Sequence, residues 1–325
     1  MRVLIRGAGV AGLSLAFELR KRGAEVTLFE VGENLSGSAS WLAGGMLAPW
    51  CERENAEEDV LVYGKSSVDW WANALPGTVS HHGTLVVAPP RDTAELNRFA
   101  GRTGGYEWLD GGGITALEPD LERRFSKGLF FPKEAHLDPR RALVELEETV
   151  SRLGVRTIFG SEEPSVDADF VANCIGMASK EKNLRAVRGE MLILHAPEVT
   201  LSRPVRMLHP RIPVYVVPRE NNHFMVGATM IESADDGPVS VRSTMELLNA
   251  AYSLHPAFAE AKIIETGVGV RPAYADNLPR ISFDGRVLSL NGFYRHGFLL
   301  APHFAAQAAE TLFQSSKEIT LETHH

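Results

Sequence analysis

The chain has 325 residues, of which 44% are hydrophobic and 23% charged, with a formal net charge of −8. That is enough material for about two domains with a buried core. The acidic balance argues against a nucleic-acid partner, because phosphate recognition needs a basic face. Two cysteines, Cys51 and Cys174, supply neither a disulfide framework nor a metal-ligand cluster, so no metal is expected and a reducing compartment is. No apolar run approaches the ~18 residues of a membrane span. A glycine motif that starts at residue 7 leaves no room for a cleaved signal peptide, so a cytoplasmic protein without membrane contact is expected.

Val3, Leu4 and Ile5 predict a short strand. Gly7, Gly9 and Gly12 follow in G-x-G-x-x-G spacing, the pattern of a tight turn, a close approach of pyrophosphate to backbone, and close helix–strand packing. A helix carrying Leu13, Ala16, Phe17 and Leu19 is predicted next. Arg20, Lys21 and Arg22 lie in its last turn, and Gly23 just beyond. A second strand from Glu25 ends at Glu30, an acid placed to accept hydrogen bonds from ribose hydroxyls. The acid disfavours a 2′-phosphate and hence NADPH; NAD and FAD both remain open on this unit alone.

A small-residue loop, SGSASWLAGGMLAP, spans 36–49, and residues 60–75 read as helical. HGTLVVAPP reads as a strand, and LEPDL (117–121) as a turn or short helix. Asp138 and Pro139 mark the N-cap and first position of a helix. VRTIF and DFVANCIG read as short strands of a buried sheet. GEMLILHAP, VYVVPRE and HFMVGATMI read as antiparallel strands, and RSTMELLNAAYSLHPAF as a helix ending near Pro256. The last sixty residues read as a β-rich stretch, the loop RHGFLLAP and a helix through Phe313. The expected fold is therefore α/β. A Rossmann-like dinucleotide domain (1–75, 136–186 and 265–325) is interleaved with a mixed, largely antiparallel β-sheet substrate domain (76–135 and 187–264).

Four stretches in order, GAGVAG with Glu30, WLAGGMLAP, YVVPRENNHFMVGATM and GVGVRPAYADNLPRI followed by NGFYRHGFLLAP, resemble the D-amino-acid-oxidase family of FAD enzymes over essentially the whole chain. The resemblance is strongest to its glycine-oxidising members. It implies non-covalent FAD; no cysteine in the C-terminal third is present to form a covalent flavin link. Besides Gly7, Gly9, Gly12 and Glu30, it implies flavin contacts from Ser38, Ala43, Gly44, Gly45 and Met46. It places Val155 and Gly176 near the adenine half, and Gly297, Phe298, Leu299 and Leu300 at the loop that feeds the last helix. By the same resemblance Arg271 clamps the substrate carboxylate, Tyr215 assists it, Met230 narrows the pocket and Arg295 lies near flavin and substrate. His296 reads as structural rather than as a base. Arg6 departs from the family pattern, which has an apolar residue before the first glycine.

The implied reaction is oxidation of glycine, and of sarcosine or small D-amino acids, by hydride transfer from Cα to flavin N5. O2 then reoxidises the flavin to give H2O2. The resulting imine is hydrolysed or serves thiazole synthesis, with thiazole synthase a candidate partner. A homo-oligomer is also expected by resemblance. Three alternatives stay open: an amino-acid dehydrogenase passing electrons to a quinone, a 2-hydroxy-acid oxidase, and a flavin-binding partner protein with an inactive site.

Overall fold

The computed structural model describes residues 1–208 and 214–322, with side chains through residue 318. Two sheets organise them. The first, in spatial order, holds Arg280–Asp284, Val287–Asn291, Phe170–Asn173, Arg2–Arg6, Glu25–Glu30 and Arg156–Phe159. Its four internal pairings between Val287–Asn291 and Arg156–Phe159 are parallel, and Arg280–Asp284 closes one edge as an antiparallel hairpin. Parallel strands need crossovers, and the helices Val10–Lys21 and Pro139–Arg152 provide two of them.

The local signals explain these helices. Val10–Lys21 starts at Gly9 without a side-chain cap, ends at Arg22, and turns through Gly23 at φ 86°. Arg20 reaches across to donate to the Leu153 carbonyl at the end of the neighbouring helix. Pro139–Arg152 is capped by Asp138, whose carboxylate accepts from Arg140 N at 2.8 Å and Arg141 N at 3.4 Å. Together with the long C-terminal helix Gly297–Glu322 they bury one continuous core that includes Ile5, Leu13, Leu19, Leu28, Leu146 and Leu312.

The second sheet has nine strands and is mixed. Arg185–His195 is its spine: Lys262–Ala273 pairs along its whole length, while His223–Gly227 and Ile231–Glu232 share the other edge. From His223–Gly227 the sheet continues through Val214–Pro218, Val205–Met207, Thr84–Val87, Lys127–Phe131 and Glu107–Asp110. All these pairings are antiparallel except Val205–Met207 with Thr84–Val87. The helix Val241–Leu254 packs Leu247, Ala251 and Leu254 against this sheet in a separate core.

Four sequence expectations shift. The boundary expected at 265 falls inside Lys262–Ala273, a strand of the nine-stranded sheet, because its partner is Arg185–His195. Arg156–Phe159 is an edge strand with exposed ends, not a buried one, because among the described residues nothing pairs beyond it. The last helix runs past Phe313 to Glu322, since no glycine or proline interrupts QSSKEITLE. The helical stretch at 60–75 is two helices, Glu58–Gly64 and Ser67–Ala74.

Candidate active site

The glycine turn forms a cradle that side chains would fill. A Cβ on Gly12 would lie 1.9 Å from the Gly7 carbonyl oxygen, and one on Gly7, which stands at φ +96°, would lie 2.4 Å from the Cys174 oxygen. Only bare backbone fits, which leaves the N-terminal end of Val10–Lys21 open to a phosphate group. Ser40 Oγ accepts from Val10 N at 3.1 Å, so the small-residue loop already reaches this helix end. The Glu30 carboxylate accepts from Ala8 N at 2.7 Å and Gly32 N at 3.1 Å, which fixes it beside the turn. Gly297 opens the last helix against Val10, so two helix N-termini converge here. Backbone space, converging N–H groups and a fixed acid fit a dinucleotide of the FAD kind.

The other residues expected to contact the cofactor are placed as follows. Ser38 and Ala43 flank a short turn at Ala39–Leu42, and Met46 follows Gly44 and Gly45 in a two-stranded pairing with His136. Val155 is buried between the helix Pro139–Arg152 and the edge strand it feeds. The Gly176 carbonyl accepts from Asn291 Nδ2 at 3.0 Å. Phe298 and Leu299 are buried, with the Phe298 carbonyl accepting from Trp71 Nε1 at 2.8 Å. Leu300 stands apart from the expectation: its side chain is fully buried and its N–H already donates to the His296 carbonyl at 2.8 Å. It offers neither surface nor donor to a ligand. Arg6, the departure from the family pattern, donates to Asn173 Oδ1 at 3.2 Å and pairs with Glu163 at 2.8 Å. With the Arg2–Asp169 pair at 3.0 Å it ties the acidic segment 160–169 to the sheet.

The expected substrate residues come from the nine-stranded sheet and the loop before the last helix. Arg271 donates from Nη1 to the Thr229 carbonyl at 3.1 Å, and its guanidinium lies over Gly189, where a Cβ would sit 2.1 Å from Nη2. Among the described residues no carboxylate forms an ion pair with it, and burial pulls it below the ordinary guanidinium value. Tyr215 lies against Gly44. Met230, next to Thr229, places Sδ 3.3 Å from Arg295 Nη1 and 3.3 Å from the Tyr294 hydroxyl. The structure thus brings the four expected side chains to one junction, where Tyr215 and Arg295 lie within electrostatic reach of Arg271.

Sequence reading misses the residues that organise the junction. Glu52, in the short helix Pro49–Arg53, accepts from Arg295 Nη2 at 2.9 and 2.7 Å through its two oxygens. The same carboxylate stands 3.5 Å from Arg206 Nη1 and 3.4 Å from His296 Nδ1. Burial pushes Glu52 up, but Arg295, His296 and Arg206 outweigh it and hold the carboxyl at about 2. Burial lowers His296 to about 4, with Glu52 opposing, so its imidazole is neutral near pH 7. Arg219 also goes unnoticed in the sequence. It donates to the carbonyls of Gly44 at 2.8 Å and Leu137 at 3.3 Å and so pins the small-residue loop. A cavity of about 440 Å³ opens beside Met230, Tyr294, Arg295, His296, Glu52 and Arg206.

Among the described residues no helix is long and apolar enough to cross a membrane, and no group of histidine, cysteine and carboxylate side chains is placed to hold a metal.

Known proteins match this architecture and its sequence. A Rhizobium etli protein named "Putative thiamine biosynthesis oxidoreductase ThiO" is 58% identical over 315 residues, 96% of either chain. The "Bifunctional protein ThiO/ThiG" of Nostoc is 26% identical over 355 aligned positions, covering 99% of this chain and 54% of its own length. The crystal structure of glycine oxidase from Geobacillus kaustophilus superposes with a TM-score of 0.79 at 23% identity, covering 95% of each chain. The sequence profile of the FAD dependent oxidoreductase (DAO) family matches residues 2–311, and the chain belongs to that family.

Proposed function

We propose that this enzyme oxidises glycine, and also sarcosine or small D-amino acids, with O2 as the electron acceptor. The observation that carries the reading is Arg271: a half-buried guanidinium, held by a backbone carbonyl and lacking a carboxylate partner among the described residues, within electrostatic reach of Tyr215, which packs on the loop at Gly44. A guanidinium in that state is completed by the carboxylate of a small acid. FAD, which the turn at Gly7, Gly9 and Gly12, Glu30 and the N-terminal end of Val10–Lys21 would hold, would supply the two-electron acceptor for the substrate Cα–H, with O2 as the final acceptor and H2O2 as its product.

The protein's own part is positioning. Arg271 and the Tyr215 hydroxyl hold the carboxylate, and Met230 walls the open side. Neither neighbouring ionisable group serves as a base near pH 7, since Glu52 is held at about 2 by its cations and His296 at about 4 by burial. The substrate therefore gives up its ammonium proton to solvent and is held as the neutral amine, without a side chain taking that proton. In this reading the six-stranded sheet and its helices, from segments 1–75, 136–186 and 274–322, carry the cofactor, and the nine-stranded sheet carries Arg271 and Tyr215. The names of the Rhizobium and Nostoc relatives support a supply of imine to thiazole synthesis, with thiazole synthase as partner.

The test is a visible spectrum of the purified protein, then anaerobic glycine, then air with a peroxidase-coupled assay. A flavin band bleached by glycine and restored by air with peroxide is the expected result. A band that glycine leaves unchanged overturns the substrate; bleaching without peroxide on aeration overturns the acceptor.

A further inference from the structure

The site holds more positive charge than one carboxylate needs. Arg206 is buried and Arg295 largely so, Arg295 lies within electrostatic reach of Arg271, and the Glu52 carboxylate lies between Arg206 and Arg295. Glu54 approaches Arg206 Nη2 at 3.8 Å. Glu54 pairs more closely with Arg102, at 3.3 Å, so Glu52 is the carboxylate that Arg206 and Arg295 share, and Arg271 has no carboxylate partner of its own among the described residues. A cavity of about 440 Å³ is lined by Glu52, Arg206, Met230 and Arg295, though not by Arg271 or Tyr215, and gives room beside the Arg295–Glu52 pair for a group that extends past Met230 from the clamp. What a second acid group would meet there is the charge of Glu52.

We propose that Glu52 is a specificity-determining residue: its carboxylate takes the place at Arg295 and Arg206 that a second acid group of the substrate would occupy, and so confines the site to amines bearing a single carboxylate. The proposal rests on the reading of Arg271 as the carboxylate clamp. A dianionic amine such as iminodiacetate, which is glycine with a carboxymethyl group on nitrogen, would place its second carboxylate against that of Glu52. Like charges in a desolvated pocket repel strongly, and rejecting the wrong ligand in this way is a common source of specificity. Replacing Glu52 by glutamine keeps the side chain's shape and leaves one guanidinium unmatched in addition to Arg271. That makes a site for two carboxylates.

The experiment is calorimetric titration of the FAD-loaded protein with methoxyacetate and with diglycolate. These share one ether skeleton, carry one and two carboxylates, and have no amine to oxidise. The wild-type protein is expected to bind methoxyacetate at least about tenfold more tightly than diglycolate, and Glu52→Gln to reverse that order by a similar factor. Glu52→Asp, which keeps the charge, should retain the wild-type preference. In turnover, the ratio of kcat/KM for iminodiacetate over sarcosine should rise at least about a hundredfold in Glu52→Gln. Should Glu52→Gln fail to hold FAD, the double variant Glu52→Gln/Arg295→Met removes the pair together, and it should bind the two ligands within about threefold of each other. Equal binding of both ligands by the wild type overturns the proposal. So does an unchanged preference in a folded, FAD-loaded Glu52→Gln or double variant. If methoxyacetate does not bind the wild type at all, the Arg271 clamp itself is wrong and the Glu52 proposal falls with it, a result distinct from equal binding.

Discussion

Tyr215 lies directly against Gly44: a Cβ on Gly44 would come within 2.7 Å of the ring Cε2 and 3.3 Å of the hydroxyl oxygen. The small-residue loop proposed to face the cofactor and the tyrosine proposed to face the substrate therefore touch, and Arg219 holds the Gly44 carbonyl. Gly44→Ala should push the ring off its position while leaving the glycine cradle at Gly7–Gly12 intact. The expected result is a KM for glycine raised by about tenfold with FAD retained. Flavin content and steady-state kinetics read both quantities, and loss of FAD at unchanged KM would show that this packing does not couple the two sites.

Arg271 is the residue on which the substrate reading stands. Arg271→Ala should lower kcat/KM for glycine by about 10³-fold, the scale expected when a buried, charge-assisted pair of hydrogen bonds to the substrate is removed. Arg271→Lys should recover only part of this, because an ammonium offers a point charge and not two parallel donors. Glycine kinetics of the two variants, each with its flavin spectrum recorded, distinguish this from a folding defect. Equal activity in the lysine variant and the wild type would mean that the carboxylate is held elsewhere.

How much of this is legible in the sequence follows from the range of the interactions. The turn at Gly7, Gly9 and Gly12, the acid at Glu30 and the cap at Asp138 act within a few residues or one βαβ unit, and each stands where the spacing places it. Arg271 is reached only through family resemblance, since nothing local marks an arginine at a strand end as a clamp. Glu52 is illegible: in PWCERENAEE it reads as one more acid on a solvated helix, and its partner Arg295 lies 243 residues away. Arg206 is hidden in the same way in a strand of three residues. The edge position of Arg156–Phe159 depends on which strand lies beside it, and an apolar run carries no record of that. A boundary at 265 cuts Lys262–Ala273 because the strand's pairing partner, Arg185–His195, lies far upstream in the chain.

Acid should destabilise the protein through its buried histidines. Burial first, then Arg219, lowers His136 to about 3, and burial lowers His296 to about 4, against an ordinary 6.5. Below pH 6.5 the unfolded chain takes up these protons and the folded chain does not. Stability present above pH 6.5 is thus lost as pH falls, until the folded values near 3 and 4 are reached. Glu134 acts in the opposite sense. Burial raises it to about 7, so between pH 4.5 and 7 the folded protein holds a proton that the unfolded chain has released. Thermal unfolding at saturating FAD should show Tm falling from pH 6.5 to 4.5, with a smaller fall in His136→Phe and a larger one in Glu134→Gln. Parallel profiles for all three proteins would remove these groups as the cause.

Both thiols should be silent in the native protein. Cys51 and Cys174 are buried; burial pushes Cys174 up to about 12 and, with Glu134 adding to it, raises Cys51 well above the ordinary thiol value. Cys174 also closes the floor of the glycine cradle, 3.5 Å from where a Cβ on Gly12 would lie. Titration with an aromatic disulfide at pH 8 should find no fast-reacting thiol in the native protein and two after denaturation. A fast thiol in the native protein would mean that one of these strand or helix ends opens readily.

Arg271, the proposed clamp, is linked through Thr229 to Glu190. This fully buried carboxylate accepts from Arg188 Nε at 3.0 Å, Arg188 Nη2 at 2.7 Å and Ser240 N at 3.2 Å, while Thr229 Oγ1 accepts from Glu190 N at 2.9 Å. The Thr229 carbonyl is the group that holds Arg271. Glu190→Ala leaves Arg188 with the Asp235 carboxylate and two backbone carbonyl partners, Asp235 and Pro238, and without its buried counter-charge. Breaking such a pair costs about 3 kcal/mol or more. The variant should unfold at lower temperature and, where it remains folded, bind glycine more weakly, because Thr229 loses its 3.4 Å hydrogen bond from Oγ1 to the Glu190 carboxylate and keeps only its two bonds to the backbone of residue 190. Glu190→Gln keeps the side chain's shape and most of its acceptors, so it should lie between the wild type and Glu190→Ala in both measurements. A Glu190→Ala protein that loses stability but keeps the wild-type KM would show that the network supports the fold without positioning Arg271.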